Sequence, residues 1–190
     1  MIGLMVYIEQ AFKNFKIRLK GRSLKIYLQF HGCKVGKGLR CVKFPRFSLV
    51  PHKNITIGDQ VTIGEHILIE VVKKGLLTIN NGVNLTRNVV IVANSSIIIG
   101  DNCLVAENVS IRDANHQTQK DKIIHEQDSD IGPIKIGKDV WLGANTVVLK
   151  GVNIPDGCVI GANSLVLEKS VLEPYGVYGG SPLKLLKVRS

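Results

Sequence analysis

Histidine and cysteine are the side chains here best suited to proton transfer, nucleophilic attack or metal ligation; the sequence holds five of the first and four of the second. Cys33, Cys41, Cys103 and Cys158 form no CxxC pair, a spacing that suits neither a zinc site nor a redox dithiol. Such unpaired thiols are expected in a reducing compartment. His31, His52 and His66 fall in no pattern. His116 and His125 lie in IRDANHQTQKDKIIHEQDSDIGPIKIG, residues 111–137, a polar, aperiodic stretch between two strongly periodic ones. Neutral imidazole, with a pKa of about 6.5, can accept a hydroxyl proton near neutral pH. Asp113 stands close enough to His116 to orient its ring, or equally to stabilise a turn. Taken alone, a loop histidine is more often a solvated side chain than a base, so its role depends on what holds it.

What holds it is a repeat. From Ile136 the chain reads IGKDVW, LGANTV, VLKGVN, IPDGCV, IGANSL, VLEKSV. Ile136, Leu142, Val148, Ile154, Ile160 and Val166 recur every sixth residue, and four residues after each stands Val140, Thr146, Val152, Cys158, Ser164 or Ser170. The same frame runs from Ile57, Ile79 and Ile99. A period of six fits neither an α-helix nor an alternating hairpin strand; it fits a short strand plus a corner. Three units close a three-sided coil of about 18 residues, and coils stack at about 4.8 Å. The composition agrees: 45% hydrophobic but only 5% aromatic, with 19 glycines for the corners. One parallel β-helix is expected, all-β, with hexapeptide repeats over 54–172, a helical or capping segment over 1–53, and a closing segment over 173–190. The loop, over 112–135, must project sideways from the stack, since excursions of this length in a compact domain are usually functional or disordered.

Two further features follow from the coil. Trp141, the only tryptophan, lies between inward-facing Val140 and Leu142 and is therefore turned outward, as an interface, a ligand wall or a packing surface under the loop. Ala144 and Ala162 are one full coil apart, in the corners Gly143-Ala144-Asn145 and Gly161-Ala162-Asn163. Two stacked small residues leave a shallow channel along the axis with backbone amides open to a linear ligand; alanine also simply suits a tight corner.

These repeats resemble the hexapeptide-repeat acyltransferases, and IGDNCLVAENVSIRDANH is most like the sugar and O-antigen O-acetyltransferases. The resemblance implies a left-handed coil, a homotrimer with sites between subunits, and acetyl-CoA as acyl donor. It implies His116 as general base, with Asp113 beside it. It implies that the Ala144 and Ala162 positions contact the coenzyme A arm and that the Ala144 N–H serves as oxyanion donor; Gly143 in the same corner and outward-turned Trp141 are then expected to line the cofactor too. YGGSPLKLLK is similar to the family's closing segment over the nucleotide, which assigns Lys184 to a phosphate. Leu167-Glu168 stands where the family usually has Thr-Lys, a departure that touches the phosphate contacts. Asn94, in VVIVANSSIIIGDN, matches a position that reaches the acceptor sugar, although a bulged corner would break the frame there equally well. The zinc site of the related γ-class carbonic anhydrases needs histidines spread differently, so no metal is expected.

The expected reaction is O-acetylation of a small or lipid-linked sugar. The rivals are N-acylation of an amino-sugar nucleotide and a non-catalytic, glycan-binding solenoid. The formal charge of +10 calls for an acidic partner or a merely solubilising surface; no nucleic acid is expected. Much of that charge sits near the N-terminus, where Ile8, Phe12, Phe15 and Leu19 follow helical spacing among Lys13, Lys16, Arg18, Lys20, Arg22 and Lys25. Such a segment fits both a cap over the solenoid's open end and a peripheral membrane contact. No apolar run reaches the roughly 18 residues of a bilayer span, and no secretory pattern opens the chain. A cytoplasmic protein is expected, with a peripheral position at the inner membrane face open to it through this segment.

Overall fold

The computed structural model describes residues 2–189. One helix, Ile2–Phe30, is followed by a β-solenoid of about seven turns. Three parallel sheets form its faces. The first stacks strands Lys34–Val35, Ile55–Ile57, Leu76–Ile79, Ser96–Ile99, Ile134–Ile136 and Asn153–Ile154. The second stacks Arg40–Cys41, Thr62–Glu65, Asn84–Arg87, Leu104–Val105, Trp141–Leu142 and Val159–Ile160, and ends on Gly176–Gly179 with antiparallel Lys184–Val188. The third stacks Arg46–Phe47, Leu68–Val71, Val90–Ala93, Ser110–Arg112, Val147–Val148 and Leu165–Val166.

The repeat is obeyed in three dimensions. Ile57, Ile79, Ile99, Ile136 and Ile154 pair in register up the first face, and all are buried. Ile63, Leu85, Val105, Leu142 and Ile160 do the same on the second, and Ile69, Ile91, Ile111, Val148 and Val166 on the third. Each aliphatic residue thus packs on its counterpart one coil away, so a single apolar column fills the prism.

The solenoid starts at Lys34, not at residue 54. Val35, Cys41 and Phe47 keep the six-residue frame, with Leu39 and Pro45 buried four residues after the first two. A cysteine, a proline and a phenylalanine in aliphatic positions hide it. Coils also differ in length. Asp59 and Asn81 are stacked 22 residues apart, Asn81 and Asp101 20, Asn108 and Asn145 37, and Asn145 and Asn163 18. The excess always falls at the corner from the third face to the first, after Phe47, Ile69, Ile91 and Ile111.

Corners are held by two ladders. In one, the Asn88, Asn108 and Asn145 side-chain amides each donate to the asparagine one coil above, at 3.1, 2.9 and 2.9 Å. These asparagines, with Asn163, have φ between +52° and +60°, a region that asparagine enters more easily than other residues with side chains. In the other ladder, carboxylate and amide oxygens of Asp59, Asn81, Asp101 and Asp156 accept backbone N–H groups from the coil below.

The helix closes the N-terminal end through Gly21, Leu24 and Leu28, all buried. A Cβ at Gly21 would overlap the Leu39 carbonyl, so only glycine lets the helix lie this close. Lys20 Nζ and Lys25 Nζ donate to the Val42 and Gly36 carbonyls, at 2.8 and 2.9 Å, satisfying open strand edges. Among the described residues no helix is long and apolar enough to cross a membrane.

Two outcomes test this arrangement. Asn108→Ala removes two ladder bonds and strains a positive φ, and is expected to cost about 1–2 kcal/mol in denaturant unfolding; Asn108→Gly, which keeps the backbone at ease, should cost less. All four cysteines are buried, and burial pushes the Cys41 and Cys103 thiols up to about 11 and raises Cys33 and Cys158. The unfolded chain therefore ionises first. Stability is fully present below the ordinary thiol value of 9.0 and falls as pH rises toward about 11. Unfolding midpoints measured from neutral to alkaline pH, with thiol titration before and after denaturation, check this.

Candidate active site

The long loop is an ordered hairpin. Ala114–His116 pairs antiparallel with Ser129–Ile131, His116 lying opposite Ser129 and Asn115 opposite Asp130. Three sets of bonds fix it. At its root the Gly132 N–H donates to the Asp113 carbonyl at 2.9 Å, and the Gly151 N–H to the Gly132 carbonyl at 3.0 Å. On its flank the Lys150 ammonium bridges Asp130 at 2.9 Å and Glu168 at 3.5 Å. The Asp130 hydrogen bond raises the Lys150 pKa above its usual 10.5, so the staple is in place at neutral pH. Toward the tip, buried Gln127 accepts from the Gln119 N–H at 2.8 Å and donates to the Gln119 and Lys122 carbonyls. His125 sits in a short turn, Ile124–Glu126, with an exposed ring.

His116 is exposed on this rigid arm. Asp113 is fully buried, and its two carboxylate oxygens accept the Asn94 and Ser95 backbone N–H groups, each at 2.7 Å. The carboxylate thus ties the hairpin root to the corner one coil below; no hydrogen bond joins it to His116 among the described residues. It brings Asn94 and the hairpin together, and the expected orienting contact to the imidazole is replaced by this corner bond. His52 is structural: its ring accepts the Asn54 N–H and faces the Val71 and Val72 carbonyls at 3.1 and 3.2 Å.

A second cluster lies at another corner, between the second and third faces. Ala144 and Ala162 stack one coil apart, the Asn163 N–H donating to the Ala144 carbonyl at 2.8 Å. The Ala144 and Ala162 N–H groups have no acceptor among the described residues. Gly143 lets the coils meet here, since a Cβ on it would come within 2.7 Å of the Ala162 nitrogen. Trp141, 48% exposed, begins this corner and pairs with Leu104, also exposed, and Val159. Lys184 is exposed on the closing strand, opposite Gly179. The corner thus carries two backbone N–H groups without an acceptor among the described residues; Trp141 lies three residues before the first, and Lys184 stands on the last strand of the same sheet.

Within one chain the two clusters do not meet. The hairpin leaves one edge of the third face and the alanine corner lies at the other, about six residues or up to roughly 20 Å along the coil. Imidazole and amide donors face the same space only if a second copy supplies one of them. Gln127, Lys150 and Asp130 carry no sequence signal; they are ordinary polar residues until the hairpin fold shows what they hold.

The model for the hexapeptide repeat of succinyl-transferase matches residues 133–168. Rv3034c of Mycobacterium tuberculosis, an acetyltransferase by name, is 32% identical over 157 residues, 82% of this chain and 49% of that protein. WbbJ of Escherichia coli K12, by name a lipopolysaccharide biosynthesis O-acetyl transferase, is 28% identical over 80% of each chain. The chain thus spans about half the length of the mycobacterial relative. Among solved structures, a point mutant of AntD, an N-acyltransferase from Bacillus cereus in complex with dTDP-4-amino-4,6-dideoxyglucose and coenzyme A, superposes with a TM-score of 0.74. It covers 87% of this chain and 89% of its own at 19% identity, a likeness of fold. With its repeat stacked as three-sided coils and these relatives, the chain is a hexapeptide-repeat protein similar in sequence to acetyltransferases.

Proposed function

We propose that the protein transfers an acetyl group from acetyl-CoA to a sugar hydroxyl. The observation that carries the reading is the presence on one prism of an exposed histidine on a braced arm and, at another corner, two stacked backbone N–H groups without an acceptor among the described residues, the first of them three residues after an exposed tryptophan. The pantetheine arm runs along the Ala144/Ala162 corner, with Gly143 and Trp141 lining it and Lys184 toward the phosphates. His116 takes the hydroxyl proton as oxygen bonds to the thioester carbon. The oxyanion formed accepts from the Ala144 N–H; collapse breaks the carbon–sulfur bond, and the thiolate leaves with the proton held by the imidazolium. Asp113 positions the hairpin root and Asn94 rather than the ring. Because imidazole and donors lie at different corners, the working unit is a homotrimer in which the hairpin of one copy meets the alanine corner of the next.

Transfer to oxygen is favoured over nitrogen by the sequence-level similarity to WbbJ, whereas the AntD likeness is one of fold. A sugar-bearing lipid or polysaccharide precursor is the acceptor class this suggests.

Thiol release from acetyl-CoA with a panel of sugars tests the reading. His116→Ala is expected to lose about 10²–10⁴-fold in rate with the fold intact; release at the wild-type rate would exclude the mechanism. Lys150→Met unfastens the hairpin flank and should lower turnover several-fold while leaving coenzyme A affinity nearly unchanged. An acylated product labile to mild base identifies an ester, and one that resists it an amide.

A further inference from the structure

The helix carries two apolar lines on opposite sides. Gly21, Leu24 and Leu28 face the first coil. At about 100° per residue, Ile8, Phe12, Phe15, Leu19, Ile26 and Phe30 form a second line turned directly away, each more than half exposed. It runs for roughly 33 Å at 1.5 Å per residue. Lys16 borders it on one side, with Lys13 beyond, and Arg18 and Arg22 lie on the other; Glu9 is the helix's only acidic residue. Beside the arginine border lies a groove of about 540 Å³ lined by Arg18, Arg22 and Lys25 of the helix and Lys37 and Arg40 of the first coil. No carboxylate lines it, and none of the five cations forms an ion pair among the described residues.

The occupant of this face must be apolar along a straight line and anionic on both sides. A second copy is the wrong chemistry: it would set these cations against each other in a chain already at +10. A bilayer with anionic lipids matches both demands, since apolar rings enter the acyl boundary while lysine and arginine heads stay at the phosphate level. We infer that the N-terminal helix lies on an anionic phospholipid surface, its outer line inserted and its basic groove cupping lipid phosphate. The coil axis then stands away from the membrane, with the hairpin three coils, or about 14 Å, above the first. The inference is independent of the acyl-transfer reading.

The full-length protein is sedimented with vesicles of phosphatidylcholine alone or mixed with phosphatidylglycerol. Binding to the mixed vesicles is expected, weakening with salt, and much less to phosphatidylcholine. Phe12→Glu with Phe15→Glu should lose at least about tenfold in affinity, and Arg18→Gln with Arg22→Gln several-fold, both with unchanged thermal unfolding because these side chains are exposed. Should a variant misfold, hydrogen exchange on the wild-type chain decides: mixed vesicles are expected to slow exchange in residues 5–20. Equal binding to both vesicle types, wild-type affinity in the phenylalanine variant, or no protection of the helix would each overturn the inference. So would a stable oligomer that the phenylalanine variant dissolves while vesicle binding persists.

Discussion

Stacking of one coil on the next is the constraint on which everything else depends. A parallel coil has no hairpin turns to set its register, so register rests on matching residues meeting at corner and core. The asparagine ladder does this with side-chain amides, each held at a positive φ and each bonded to its counterpart. Inside, the aliphatic columns repeat the same register in van der Waals contact. A slip of one residue would turn every core side chain outward and break every rung. Local turn preference, hydrogen bonding and burial therefore all favour one structure.

Because the coils stack in fixed register, features at different corners are held apart. The hairpin presents an imidazole at one edge of a face, and the alanine corner presents backbone donors at the other. Different residues hold them: Asp113, Gly132 and Lys150 brace the first, and Gly143 with the Asn163 bond builds the second. In the proposed reaction, features this far apart on one prism would be brought together by association of copies.

Most of the fold is legible in the residues because hexapeptide spacing has a single physical meaning, and Ile136 through Val166 display it without a gap. The first coil is not, since Val35, Cys41 and Phe47 keep the spacing but not the residue type, and ten residues separate Phe47 from Ile57. The outward turn of Trp141 and the stacking of Ala144 on Ala162 follow from periodicity and hold in the folded chain. The bonds of Asp113 do not: a carboxylate near a histidine in sequence looks like its partner, and only the coil beneath reveals the two amides that claim it. Four apolar residues at helical spacing announce the N-terminal helix. They do form a line, but it is not the capping line, which Gly21, Leu24 and Leu28 supply.

The corner between the third and first faces is the one place where this chain departs from its own spacing. It absorbs a few extra residues in the early coils, and in the fourth it absorbs the entire hairpin, yet the strands on either side resume in register. Length can thus change there without propagating into the stack. A protein built this way can diversify the arm it projects by insertion and deletion alone, while the prism that carries it stays fixed.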